Sequence, residues 1–193
     1  HHNVDIVIVG GGINGLLAAE SLIDTDFDVL LIESDNQLGG VLNNSSKINE
    51  INGQNTQDWI KKTVENLEKS KNIKILKNTL VTTYNYINHL IAVEDKYVGA
   101  KPAEDKVNST LHKIRTEHVI LSNGHIERFL SFQNNDLPGI MLGASFEKYV
   151  CRYGVVPSKE PVIFSNNSNT NSLVKTLLEL NIKPKAYIDS RSG

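Results

Sequence analysis

Val4-Asp5-Ile6-Val7-Ile8-Val9 is a nearly unbroken run of β-branched residues, the pattern of a strand buried on both faces of a parallel sheet. Glycines follow, and then Ile13, Leu16, Leu17, Ala19, Leu22 and Ile23 recur at helical spacing. A second apolar run, Asp28 to Ile32, ends at Glu33. Further on, Thr56 to Lys69 predicts an amphipathic helix. Trp59, Ile60, Val64 and Leu67 lie on one side, and Lys61, Lys62, Glu65, Glu68 and Lys69 on the other. From Ile73 the period changes to two. Ile73 to Leu76 predicts a strand, and Asn78 to Tyr86 with Leu90 to Val93 predict an antiparallel hairpin. Lys96 to Ser109 is polar and predicts a surface loop. Leu111 to Arg115 and His118 to Leu121 predict two further strands, the latter ending at Ser122-Asn123-Gly124.

The opening architecture then recurs. Asp136 to Ile140 is a Pro-Gly turn leading to a helix over Ser145 to Tyr153, closed by Gly154. A strand over Val162 to Ser165, a helix over Ser172 to Leu180 and a strand over Lys185 to Ile188 ending at Asp189 form a second βαβ unit. The expectation is an α/β, Rossmann-like fold of the two-dinucleotide-binding type. Residues 3–156 form its first domain, with a small β insertion at about 73–118, and residues 157–193 begin a second βαβ domain.

The chemistry concentrates in Gly10-Gly11-Gly12-Ile13-Asn14-Gly15, a G-x-G-x-x-G between a strand and a helix. Gly10 allows the tight turn, Gly12 lets a pyrophosphate approach the backbone, and Gly15 lets the helix pack closely. The helix N-terminus offers unpaired N–H groups and a positive dipole end. Glu33, 18 residues beyond Gly15, stands where a carboxylate accepts hydrogen bonds from a ribose diol. That acid disfavours a 2′-phosphate, which leaves NAD or FAD. Ser34, Asp35 and Val41, in the polar loop that follows, are candidate wall residues, although an ordinary crossover loop has the same composition. Leu80 is a candidate adenine contact. The second unit has Asn166 to Thr170 in place of glycines, and Cβ atoms there would hold a pyrophosphate off the backbone. A structural relic is expected.

The whole-chain properties narrow this further. A chain of 193 residues with 39% hydrophobic and 22% charged residues has the composition of a globular domain. A net charge of −2 gives no basis for nucleic acid or an anionic membrane as partner. No run approaches the roughly 18 apolar residues of a membrane span, and a cytoplasmic protein is expected. The six histidines lack metal-ligand spacing, so no metal is expected. His125 is read as a loop histidine. Cys151 is the single cysteine, which excludes a C-x-x-C centre within the chain, and its helical setting predicts a small buried hydrophobe. His1-His2 has the look of a tag remnant on an excised piece, whose apolar surface would favour self-association.

Four blocks carry a resemblance: Gly124-His125-Ile126-Glu127-Arg128, Phe132 to Met141 with its Asn-Asp-Leu-Pro-Gly-Ile core, Arg152-Tyr153-Gly154-Val155, and Val162 to Asn167. Together with the glycine loop they make the chain resemble, from Val4 to Arg191, the alpha subunit of heterotetrameric sarcosine oxidase. Related amine-oxidising subunits of opine, proline and cyanide-forming glycine dehydrogenases carry similar blocks. The resemblance implies a complex with beta, gamma and delta subunits that oxidises sarcosine to glycine. FAD and FMN would carry the electrons to oxygen, giving hydrogen peroxide, and the one-carbon unit would pass to tetrahydrofolate. It also implies an NAD in the alpha subunit that takes no part in turnover. Carried over by motif, Gly10, Gly12, Asn14 and Gly15 would hold pyrophosphate, and Glu33, Ser34 and Asp35 would hold ribose and adenine. Ile13 lies in the same loop, Val41 and Leu80 would wall the adenosine, and Ser122, Asn123 and Gly124 would face the far side.

The chain departs from the family at two places. The usual Gly-Ala-Gly-Pro-Ala-Gly is Gly-Gly-Gly-Ile-Asn-Gly, and the usual Ala-Thr-Gly is Ser122-Asn123-Gly124. Neither adds bulk at a required glycine. No catalytic residue is expected in this chain. A subunit of a related flavin-dependent dehydrogenase and an assembly module with an empty pocket remain open.

Overall fold

The structure is a computed structural model and describes residues 1–44, 50–96, 108–168 and 170–191. The polar loop expected over Lys96–Ser109 lies mostly outside the described residues. The chain forms two compact units, residues 1–40 with 52–124, and residues 41–51 with 125–193. The boundary expected after residue 156 thus falls at Gly124. The helix before residue 156 shares its apolar face with the second βαβ unit, and so belongs to that core.

In the first unit, β1 (His2–Val9) leads to α1 (Ile13–Glu20) and β2 (Val29–Ile32). The helix is shorter than the apolar period suggests. Past Glu20 the bonds tighten to the i→i+3 kind, Leu22 N–H to Ala19 O at 3.1 Å, and Asp24 takes a left-handed φ of 58°. β3 (Glu50–Ile51), which groups with the second unit, and β4 (Gln54–Asn55) are short strands that precede α2 (Thr56–Lys69), which has the bounds its periodicity predicts. Asn55 caps it, its Oδ1 accepting the Gln57 N–H at 2.9 Å. Trp59, Ile60 and Leu67 are buried on the predicted face.

After β5 (Ile73–Leu76) come β6 (Thr79–Asn85), β7 (His89–Asp95) and β8 (Ser109–Leu121). All join one sheet in the order β5-β2-β1-β8-β7-β6. Two expectations are corrected here. Ile73–Leu76 belongs to the parallel sheet, paired with β2, and is no part of an insertion. The strands expected at Leu111 to Arg115 and His118 to Leu121 are one continuous strand. Its first half pairs antiparallel with β7 and its second half parallel with β1. Thr116 and Glu117 break the apolar pattern, yet the ladder carries the backbone through them. The face formed by Val7, Leu30 and Ile32 packs with Leu90, Ala92 and Ile114 into one core cluster.

In the second unit, α3 (Gly143–Tyr153) ends at Gly154, which has a left-handed φ of 64°. The β9 strand (Val162–Ser165), α4 (Thr170–Glu179) and β10 (Ala186–Asp189) follow, with β9 and β10 parallel. Phe146, Val150, Ile163, Leu173, Leu177 and Ile182 form its core. Cys151, expected to be buried, is exposed. The inward stripe of α3 is Phe146, Glu147 and Val150, and Cys151 lies one residue, about 100°, beyond it. Among the described residues, no helix is long and apolar enough to cross a membrane. None of their His, Cys, Asp and Glu side chains cluster in threes able to hold a metal ion.

Candidate dinucleotide site

The site is built where β1 ends. Gly10 turns the chain with a φ of 101°, and a Cβ there would lie 2.4 Å from the Ser122 carbonyl oxygen. The Gly10 N–H donates to Ile32 O at 2.8 Å and the Ser122 N–H to Val9 O at 2.7 Å. The turn is therefore pinned between the ends of β2 and β8. Gly15 is held for a different reason, since a Cβ there would stand 1.8 Å from the Gly10 carbonyl oxygen. Gly12 differs from both. Its backbone is extended, with φ −73° and ψ −170°, and a Cβ added to it would meet nothing within 4 Å. The glycine assigned to the pyrophosphate is the one beside open space. Gly12 also caps α1 with no side chain to bond the first-turn N–H groups, and no acidic residue stands in that turn. Ile13 and Asn14 open the helix there, with Asn14 exposed. An anion placed at this end would meet backbone donors and no acidic side chain from the helix's own first turn.

Glu33 is buried, and its carboxylate is already in use. Oε2 accepts the Gly11 N–H at 2.6 Å, while Oε1 accepts the Asp35 N–H at 2.7 Å and the Ser34 hydroxyl at 3.0 Å. The acid expected to face a ribose is thus also a brace, tying the end of β2 to the glycine loop. A carboxylate has about four lone-pair directions, so after these three bonds one remains for a ligand hydroxyl.

Leu38, Gly39 and Gly40 also shape the loop. A Cβ on Gly11 would come 2.3 Å from Leu38 Cδ2 and 3.1 Å from Glu33 Oε2. The Gly39 N–H donates to the Gly11 carbonyl at 2.8 Å, and a Cβ on Gly40, whose φ is 55°, would lie 3.1 Å from Gly12 Cα. The segment Leu38 to Gly40 therefore folds over the glycine loop. The Gly39-Gly40 pair is visible in the sequence, but spacing alone gives it no partner.

Of the remaining candidates, Leu80 is 58% exposed at the start of β6. It follows Thr79, whose N–H donates to Glu33 O at 2.8 Å. Ser122 is partly buried beside Gly10, while Asn123 and Gly124 are exposed at the end of β8. The first unit thus gathers Gly10, Gly12, Ile13, Asn14, Gly15, Glu33, Ser34, Asp35, Leu80 and Ser122 to Gly124. Val41 is half-exposed on the short 3-10 turn Gly40–Asn43 and groups with the second unit.

In the second unit the corresponding acid is neutralised internally. Arg191 Nη2 lies 2.6 Å from Asp189 Oδ2, and Arg191 Nη1 donates to Ser168 Oγ at 2.9 Å. Hydrogen bonds from the Arg191 side chain and then its backbone hold the Asp189 carboxyl down at about 2. The loop's hydroxyls bond one another and the backbone: Ser165 Oγ donates to Asn167 O at 2.9 Å and pairs with the Thr170 hydroxyl.

A parallel sheet, a glycine turn pinned between strand ends, an open helix N-terminus and an acid closing β2 define a Rossmann-like, dinucleotide-binding domain. Residues 8–64 match the family model of the NAD(P)-binding Rossmann-like domain. The chain is 31% identical, over 92% of its length, to sarcosine oxidase subunit alpha of Corynebacterium sp. (strain P-1). It is 30% identical, over 97% of its length, to the same subunit of Rhizobium meliloti (strain 1021). It is a homologue of these alpha subunits and spans 18% and 19% of their lengths. L-proline dehydrogenase from P. horikoshii shares the fold, with a TM-score of 0.74 at 23% identity over 97% of this chain and 35% of that one.

Proposed function

We propose that this chain is the NAD-holding region of a sarcosine oxidase alpha subunit. The observation that carries this is the likeness to those subunits along nearly the whole chain, glycine loop included. Gly10 sets the turn, Gly12 admits the pyrophosphate, and the first-turn N–H groups of Ile13, Asn14 and Gly15 hold it. Glu33, Ser34 and Asp35 take the ribose and adenine end. Leu80 walls the adenosine, and Ser122, Asn123 and Gly124 face the opposite side. The Glu33 carboxylate opposes a 2′-phosphate, so NAD is preferred to NADP. FAD in the same pocket is the second reading, because the same glycine loop and acid serve either dinucleotide.

In the assembled enzyme this region acts by binding, and the chemistry belongs elsewhere. The proposed reaction is oxidation of sarcosine to glycine with FAD and FMN. Beta, gamma and delta subunits take part, hydrogen peroxide is released, and the one-carbon unit passes to tetrahydrofolate. This chain supplies no catalytic residue.

Titration calorimetry of the chain with NAD, NADP and FAD tests the first part. Binding of NAD at 100 times its Kd should add about 2.7 kcal/mol of stability. That is a rise in melting temperature of roughly 5–10 °C for a chain of this size. No heat and no shift at saturating NAD would overturn the reading, while a flavin absorbance band on the purified protein would replace NAD by FAD. Oxygen uptake with sarcosine by the complex purified with its native partners tests the second part, and a complex inert to sarcosine refutes it.

A further inference from the structure

Asn78 leaves one polar atom unserved at the corner where β6 begins. Its Oδ1 is covered from solvent and has no hydrogen-bond partner. Its backbone is fully engaged, the N–H donating to Asp35 O at 3.0 Å and the carbonyl accepting the Asp95 N–H at 2.8 Å. The next residue, Thr79, donates to Glu33 O at 2.8 Å. Asn78 is thus tied to the backbone of Asp35 directly and to that of Glu33 only through its neighbour Thr79, and Leu80 stands exposed two residues on from Asn78.

Asparagine also holds the left-handed positions 52, 88, 134 and 181, so the backbone accounts for the residue type at 78 but gives its covered Oδ1 no partner. Asn78 has a left-handed φ of 53°, which asparagine tolerates but glycine satisfies at no steric cost. A glycine would also remove the orphaned oxygen, which destabilises the empty protein. A covered acceptor with no partner, next to the candidate nucleotide site, points to a ligand.

Resting on the nucleotide reading above, we propose that Asn78 is a specificity residue for the adenosine half. Its Oδ1 accepts a hydrogen bond from an N–H or O–H donor of the bound adenosine. The residue as a whole is only partly buried, and the terminal torsion of asparagine is soft. Rotation about that torsion turns the oxygen outward when a donor arrives.

The test compares wild type with Asn78→Gly and Asn78→Ala by calorimetry with NAD, AMP and nicotinamide mononucleotide, alongside ligand-free melting temperatures. Both variants should bind NAD and AMP about two- to tenfold more weakly, the loss of one hydrogen bond. Affinity for nicotinamide mononucleotide should not change, and ligand-free N78G should melt no lower than wild type. Unchanged AMP affinity overturns the inference, as does an equal loss for all three ligands. If N78G fails to fold, N78A decides on the same two outcomes. Wild type that binds neither NAD nor AMP refutes the nucleotide reading itself, which is a different failure.

Discussion

Replacing Gly12 with alanine should separate binding from folding. The added methyl meets no atom within 4 Å, and a φ of −73° suits any residue. Restricting the unfolded chain should stabilise by ~0.4–1 kcal/mol. Alanine is a poorer N-cap than glycine, which costs a similar amount. The net change should lie within about 0.5 kcal/mol, or roughly 2 °C in melting temperature for a chain of this size. The methyl nonetheless occupies the space a pyrophosphate needs to reach the first-turn N–H groups. Losing one or more hydrogen bonds to a charged phosphate costs about 1.5–3 kcal/mol, so NAD affinity should fall roughly 10- to 100-fold. Gly15→Ala is the contrast, because its Cβ would overlap the Gly10 carbonyl at 1.8 Å and the backbone must shift. That variant should lose about 3 kcal/mol or more of stability. Calorimetry and thermal melts on both variants decide the matter. G12A binding NAD as tightly as wild type would refute the placement of the pyrophosphate.

Glu33→Gln should destabilise by about 1–3 kcal/mol, because its NH2 must face a donor, either the Gly11 N–H or the Ser34 and Asp35 pair. A denaturant midpoint equal to wild type would remove the brace from the account. Asn55→Ala should cost about 1 kcal/mol through loss of the α2 cap, read as a fall of about 2–4 °C in melting temperature. Asp189, held at about 2 by Arg191, contributes stability to the second unit that is present above the ordinary carboxylate range and lost as pH falls through about 2. A carboxyl NMR titration should find that midpoint in wild type and a higher one in Arg191→Ala. Identical midpoints would dissolve the pair, which salt should also weaken because it is exposed.

Much of the fold was legible because local patterns and tertiary structure agree. The β-branched run before Gly10, the period of Thr56 to Lys69 and the alternation along β7 each bury residues they mark, whereas the apolar residues Leu80 and Tyr84 of β6 are exposed. Continuity was not legible. Thr116 and Glu117 read as a break, yet they lie within one strand, because the ladder to β1, which pairs Val4 with Thr116 and Ile6 with His118, needs no apolar side chains. Cys151 was misplaced because helical periodicity alone does not say where the buried stripe ends.

By itself the sequence determined the glycine turn, the helix that follows it and the acid closing β2. Those are short-range features, set by φ preferences, hydrophobic period and chain distance. Only the tertiary structure decided what each glycine is for. Gly10 and Gly15 are enforced by carbonyls brought against them and Gly11 by Leu38 and Glu33, while Gly12, of the four glycines in that loop, faces open space. It also decided that Glu33 braces the loop it was expected only to accompany, and that Asn78 holds an acceptor with no partner. Such roles depend on which atoms meet across distant parts of the chain, and one-dimensional spacing carries no record of those meetings.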